Sequence, residues 1–179
     1  MGTHSKTHSA RRDSFERVDR KFIKCDIENL AGGPLQPVEE YARVMRILLR
    51  DSIRVRPGDL IVVASSRFVA KRIMPALAGF PLQWRWQDGP DGADHALLDF
   101  SDLAHEARRR STFVIASGDG IFTEQTERAR ELGMSTHQII GRGRPSRRLW
   151  NACQTHTTMR LGAPAASGMA TVTPEAVAA

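Results

Sequence analysis

The stretch TFVIASGDG, Thr112–Gly120, decides how this chain reads. An apolar run of strand length passes through small residues into a turn made of two glycines around an aspartate. Short apolar runs closed by turn residues are the mark of strands buried on both faces, as in parallel sheets. Working outward, the pattern recurs in KFIKCD (Lys21–Asp26), DLIVVA (Asp59–Ala64), the alternating PLQWRW (Pro81–Trp86) and Met134–Ile140. Helical patterns separate these runs. Pro37 begins one, with Val38, Tyr41, Ala42, Met45, Leu48 and Leu49 at spacings of three and four; a short amphipathic segment covers Ser66–Leu77. Gly92–Arg110 reads as a single helix, Ile121–Leu132 as another that Gly133 closes, and Pro145 begins a last helix that runs to about Thr157. Strands and helices in strict alternation predict an α/β protein with a central, mostly parallel sheet of about five strands covered on both faces.

Composition narrows the class further. With 179 residues one domain is expected, and 41% hydrophobic residues suffice for a core. No apolar stretch approaches the roughly 20 residues that span a bilayer, so no membrane segment is expected. The basic start, MGTHSKTHSARRDSFER, has no apolar segment behind it, and the cytoplasm is the expected compartment. Cys25 and Cys153 form no CxxC pair and read as reduced packing residues. Residues 1–20 read as a basic flexible arm, 21–159 as the folded domain and 160–179, rich in Ala, Gly, Pro and Thr, as a disordered tail.

Open α/β sheets bind ligands beyond the carboxyl ends of their strands. Asp26 ends the first run, Asp119 follows the fourth, and Asp94 lies in the first turn of the helix before it. Carboxylates gathered without a counter-charge raise one another's pKa values at a cost in stability. A hard divalent cation, Mg²⁺ or Mn²⁺, resolves that repulsion and lends itself to hydrolysis of phosphodiesters. Asn29, in the tight DIEN sequence, is placed to hydrogen-bond a ligand or a carboxylate.

FIKCDIENL, DGADHALLD and FVIASGDGIF, in that order, resemble the NYN domain within the PIN-like nuclease superfamily. The resemblance covers about residues 21–159. It implies a Rossmann-like three-layer α/β/α sandwich, an acidic metal site and metal-dependent cleavage of RNA. It places the family's aspartates at Asp26, Asp94 and Asp119 and its asparagine at Asn29. One position departs: many relatives carry an acidic residue two places after the SGD aspartate, where this chain has Ile121. Losing that carboxylate weakens metal binding or shifts ligation to water, Glu28, Asp91 or Asp99, and makes a noncatalytic RNA-binding module the alternative to a ribonuclease.

Plainer roles stand beside these. Asp119 between glycines suits a turn or a helix cap, Asp94 can cap its helix, and Glu28 suits a loop surface. Trp84 and Trp86 flank Arg85, so either base stacking or sheet packing accounts for them. Arg142, Arg144, Arg147 and Arg148 follow the fifth strand, where arginine forks would bind the phosphates of RNA, taken to be single-stranded, while Ser117 orients the carboxylates. GRGRPS is no Walker loop, and the first strand leads into DIEN rather than GxGxxG, which argues against a nucleotide-binding Rossmann domain. Self-association as a homodimer is left open.

Overall fold

The computed structural model describes residues 19–163, so the expected arm and tail lie almost wholly outside the described residues. Six strands form one sheet: β1 (Lys21–Asp26), β2 (Leu60–Ser65), β3 (Gln83–Trp86), β4 (Thr112–Ala116), β5 (Ser135–Ile140) and β6 (Thr155–Thr158). Their order is β3-β2-β1-β4-β5-β6, and every neighbouring pair is parallel. The chain winds outward from β1 to β3, returns to the centre at β4 and winds outward again. That reversal leaves a crevice at the carboxyl ends of β1 and β4.

Alternate side chains of each strand feed two cores. Ile23, Cys25, Ile61, Val63 and Val114 pack on one side against α2 (Val38–Ile47) and α3 (Arg67–Ile73). Phe22, Val62, Ala64, Phe113 and Ile115 pack on the other side, in a core shared with Leu97 of α4 (Gly92–Leu98), Ala107 of α5 (Leu103–Arg109), Ala129 of α6 (Thr123–Glu131) and Leu149 of α7 (Arg147–Ala152). A short α1 (Ile27–Ala31) leaves β1 directly. Both cysteines are buried free thiols, and burial pushes Cys153 up to about 12. Among the described residues no helix is long and apolar enough to cross a membrane.

Three local readings change. The helix expected over Gly92–Arg110 is two, because Ser101 takes a left-handed φ of 66° and Asp102 starts α5 by accepting the Ala104 N–H at 2.9 Å. Helix α2 widens at its end into a π turn over Leu48–Ser52, with Ile53 N–H donating to the Leu48 carbonyl. The last helix does not reach Thr157. It ends at Ala152, and THTT forms a sixth strand on the edge of the sheet, held by the Gln154 side chain accepting the Thr136 N–H at 2.8 Å. Threonine's β-branched side chain favours that outcome once a strand edge is available to pair with.

Candidate active site at the strand ends

Asp26 is the last residue of β1 and the cap of α1. Its Oδ1 accepts the Asn29 N–H at 3.0 Å, and its Oδ2 accepts the Ser117 hydroxyl at 3.2 Å. The Asn29 side-chain oxygen Oδ1 in turn accepts the Gly118 N–H at 2.9 Å, so one turn of DIEN ties the end of β1 to the end of β4. Gly118 and Gly143 are required here by close approach. A Cβ on Gly118 would stand 2.6 Å from the Arg144 carbonyl, and one on Gly143 would overlap the Asn29 amide oxygen. The SGDG loop and the segment after β5 therefore lie backbone to backbone, joined by the Ser146 N–H donating to the Gly118 carbonyl at 2.7 Å.

Asp119 does cap a turn, since its Oδ1 accepts the Ile121 N–H at 3.0 Å while its own N–H donates to Ser117 Oγ at 3.1 Å. Its side chain is otherwise exposed. Asp94 is no cap: Asp91 holds that position in α4. Asp94 sits one turn further in, 8% exposed, and its Oδ1 is buried with no hydrogen-bond partner.

Asp26, Glu28, Asp91 and Asp94 share a cleft of about 420 Å³ with Asn29, Ser66, Gln87 and Arg142. Burial pushes the Asp26 carboxyl up to about 6; its two hydrogen bonds oppose the shift, and Glu28 and Asp119 add to it. Burial, then the charges of Asp26 and Asp119, push Asp94 up to about 7. Asp119 does not line the cleft, but it acts on both carboxylates electrostatically. Among the described residues no three acidic, His or Cys side chains are gathered closely enough to hold an ion by themselves. The donor set nonetheless fits a hard cation of the Mg²⁺ kind, which takes one or two carboxylates and keeps its waters. An orphaned carboxylate oxygen beside a second carboxylate is the arrangement such an ion satisfies, and Asp26 and Asp94 are the residues able to hold it.

The predicted arginines divide. Arg142 walls the cleft, but its Nε and Nη2 donate to Glu40 Oε1 at 3.2 and 3.1 Å, and Nη2 also to the Gly162 carbonyl at 3.0 Å. Its guanidinium is held on Glu40, a carboxylate it shares with Arg43. Arg144, Arg147 and Arg148 are exposed outside the cleft, on the segment packed over the SGDG loop.

Glu28, by sequence an alternative ligand or a loop-surface residue, ties two elements of the site together, and Lys24 escapes a sequence reading altogether. Glu28 is half-buried, and its Oε1 accepts the Ser66 N–H at 2.6 Å, joining α1 to the end of β2. Lys24 is fully buried, two residues before Asp26, and its amine donates to the carbonyls of Leu97 and Leu98 at the end of α4. It thus pins the helix of Asp94 to the strand of Asp26. Burial lowers Lys24 to about 7, against the opposing charges of Asp99 and Glu106. A lysine inside an otherwise apolar strand run was the available signal; its partner, more than seventy residues away in sequence, had none.

A solved protein of unknown function from Vibrio parahaemolyticus is similar at 13% identity, over 80% of this chain and 94% of its own, with a TM-score of 0.48. No curated protein matches the sequence. The model of the NYN domain matches residues 67–160, a span that holds Asp94, Asp119 and the four arginines and begins after Asp26 and Asn29. That match takes in more than half of the chain, which therefore belongs to the NYN domain family of the PIN-like nuclease superfamily.

Proposed function

We propose that this protein is a metal-dependent ribonuclease that hydrolyses phosphodiester bonds of single-stranded RNA. The nuclease-like, RNA-related character of the family supports the substrate class. The observation that carries the reading is the buried, unpartnered Asp94 oxygen in a cleft where burial raises the pKa of both Asp26 and Asp94 and the charge of Asp26 raises Asp94 further. A chain without need of a cation gains nothing from burying two mutually repelling carboxylates, because each unpaired buried polar group costs stability. Mg²⁺ or Mn²⁺ bound there supplies a water of lowered pKa and offsets the charge of the phosphodiester. Asp26 and Asp94 hold the ion, directly or through water, and Asp119 adds negative charge from the rim. Ser117 and Asn29 fix the Asp26 carboxylate in one orientation through their hydrogen bonds. Lys24 fixes the spacing of the two elements that carry the pair. Arg144, Arg147 and Arg148 hold the RNA backbone, since exposed guanidinium forks bind phosphate without regard to sequence.

A second reading, a noncatalytic RNA-binding module, is favoured by one observation: Ile121 packs, half-buried, against the core beside Phe122 and Leu149 where a further carboxylate would otherwise stand. Cleavage of an end-labelled single-stranded RNA across a Mn²⁺ titration separates the two. The nuclease reading expects cleavage by the wild type that Asp94→Asn lowers by about 100-fold or more, the scale of one essential electrostatic group. RNA binding without cleavage at saturating Mn²⁺ selects the binding module.

A further inference from the structure

We infer that a nucleobase-stacking subsite lies beside the cleft, between the end of β3 and α3. Trp86 is the last residue of β3, pairs in register with Ser65 and is 45% exposed. With Ala70, Met74, Arg67 and Lys71 it encloses an apolar hollow of about 240 Å³. That volume is below the usual range for drug-sized ligands and suits a single planar ring system. The residues next in sequence on both sides, Ser66 before Arg67 and Gln87 after Trp86, line the carboxylate cleft. The hollow therefore opens along the same sheet edge as the cleft.

Charge selects the occupant. Helix α3, RFVAKRI, carries three cations and no acid. Arg67 is held at the rim by Asp88, at 3.2 Å. Arg72 is turned away, donating to the Pro34 and Gln36 carbonyls and lying over Phe68. The exposed Lys71 ammonium has no polar partner among the described residues. A flat indole over apolar walls with a free cation at its lip is the arrangement that stacks a base and grips its phosphate. The Trp84 indole differs: it lies on the same strand face but is half-buried against the core that α3 covers. Only Trp86 of the strand's pair is available to a strand of RNA. The subsite rests on the RNA reading above and extends it by one contact, holding a nucleotide flanking the one in the cleft.

The test uses the full chain, metal-free in EDTA so that no cleavage intervenes, and a short single-stranded oligouridine. Trp86→Ala is expected to weaken binding about 5- to 100-fold with the salt slope unchanged, and Trp86→Phe to retain most of the affinity, because stacking energy resides in the ring. Lys71→Ala is expected to reduce the salt slope by about one phosphate contact with a smaller loss of affinity. A 4-thiouridine oligonucleotide bound to the unaltered protein is expected to cross-link within the Trp86–Gln87 segment, a readout independent of how the variants fold. Binding that is equal in wild type and Trp86→Ala, or a cross-link confined to other segments, overturns the subsite and leaves the RNA reading standing. Absence of RNA binding by the wild type at low salt overturns both. Competition for the hollow by a basic or apolar peptide, with RNA binding unaffected, assigns the hollow to a protein partner and overturns the subsite alone.

Discussion

Two buried acidic centres stand on either side of Arg142, and the chain treats them in opposite ways. Glu40 is completely buried and answered in full: Arg43 donates to it at 2.8 and 2.7 Å and Arg142 at 3.2 and 3.1 Å. The same guanidinium groups hold the backbone of Leu161 and Gly162, so this centre ties that segment to α2. Asp26 and Asp94, in the cleft that Arg142 walls, receive two hydrogen bonds to Asp26 and none to the buried oxygen of Asp94. An arginine within the same wall is spent on Glu40. Buried charge is tolerated where the chain supplies its partner, and the withheld partner at Asp94 is what the proposed metal would supply.

Breaking the compensated centre should have the largest effect. Glu40→Ala leaves two guanidinium groups facing an apolar hole and loosens their hold on Leu161 and Gly162, for a loss of about 3 kcal/mol in urea unfolding. A loss below about 1 kcal/mol would mean that the two arginines resolvate freely and that the contrast is one of geometry alone.

Ile121→Asp comes next. Because Ile121 packs against the core, a carboxylate there should cost about 2 kcal/mol instead of completing the proposed metal site. An unchanged melting temperature together with tighter Mn²⁺ binding would show that the rim can accept the missing ligand.

Asp94→Asn sharpens the comparison from the uncompensated side. Asp26 and Asp94 have folded-state pKa values raised to about 6 and about 7, so the folded protein holds protons that the unfolded chain releases near 4. Their contribution to stability is full below about pH 4 and is lost as the pH rises to about 7. Metal-free Asp94→Asn should therefore match the wild type near pH 4 and exceed it by on the order of 1 kcal/mol at pH 7. The same substitution should remove most of the rise in melting temperature that Mn²⁺ gives the wild type. Equal metal responses in the two proteins would place the ion elsewhere.

The smallest change in stability is expected from replacing Arg144, Arg147 and Arg148 together with alanine. All three are exposed, so stability should move by no more than about 0.5 kcal/mol, while the salt dependence of RNA binding flattens. An unaltered salt slope would put the phosphate path on the Lys71 side.

The sequence by itself determined the alternation of strands and helices, because apolar runs such as TFVIAS and DLIVVA and the three-and-four spacing of α2 are local patterns that local geometry reads directly. It also placed Asp26, Asn29 and Asp119 after strands and Asp94 at the head of a helix, where the fold rules put ligands. Only the tertiary structure decided the rest. The tetrapeptide THTT is too short to declare itself, and it became β6 because β5 offered an edge to pair with. Arg142 reads from sequence as a phosphate ligand, and its hold on Glu40, 102 residues away, comes only from the fold. Lys24 acquired its role from carbonyls of Leu97 and Leu98, and Asp94 lost the role of cap to Asp91 and gained an unanswered oxygen through burial. Each of these depends on which distant groups meet in a place closed to water, and neither the residue type nor its neighbours in sequence carry that information.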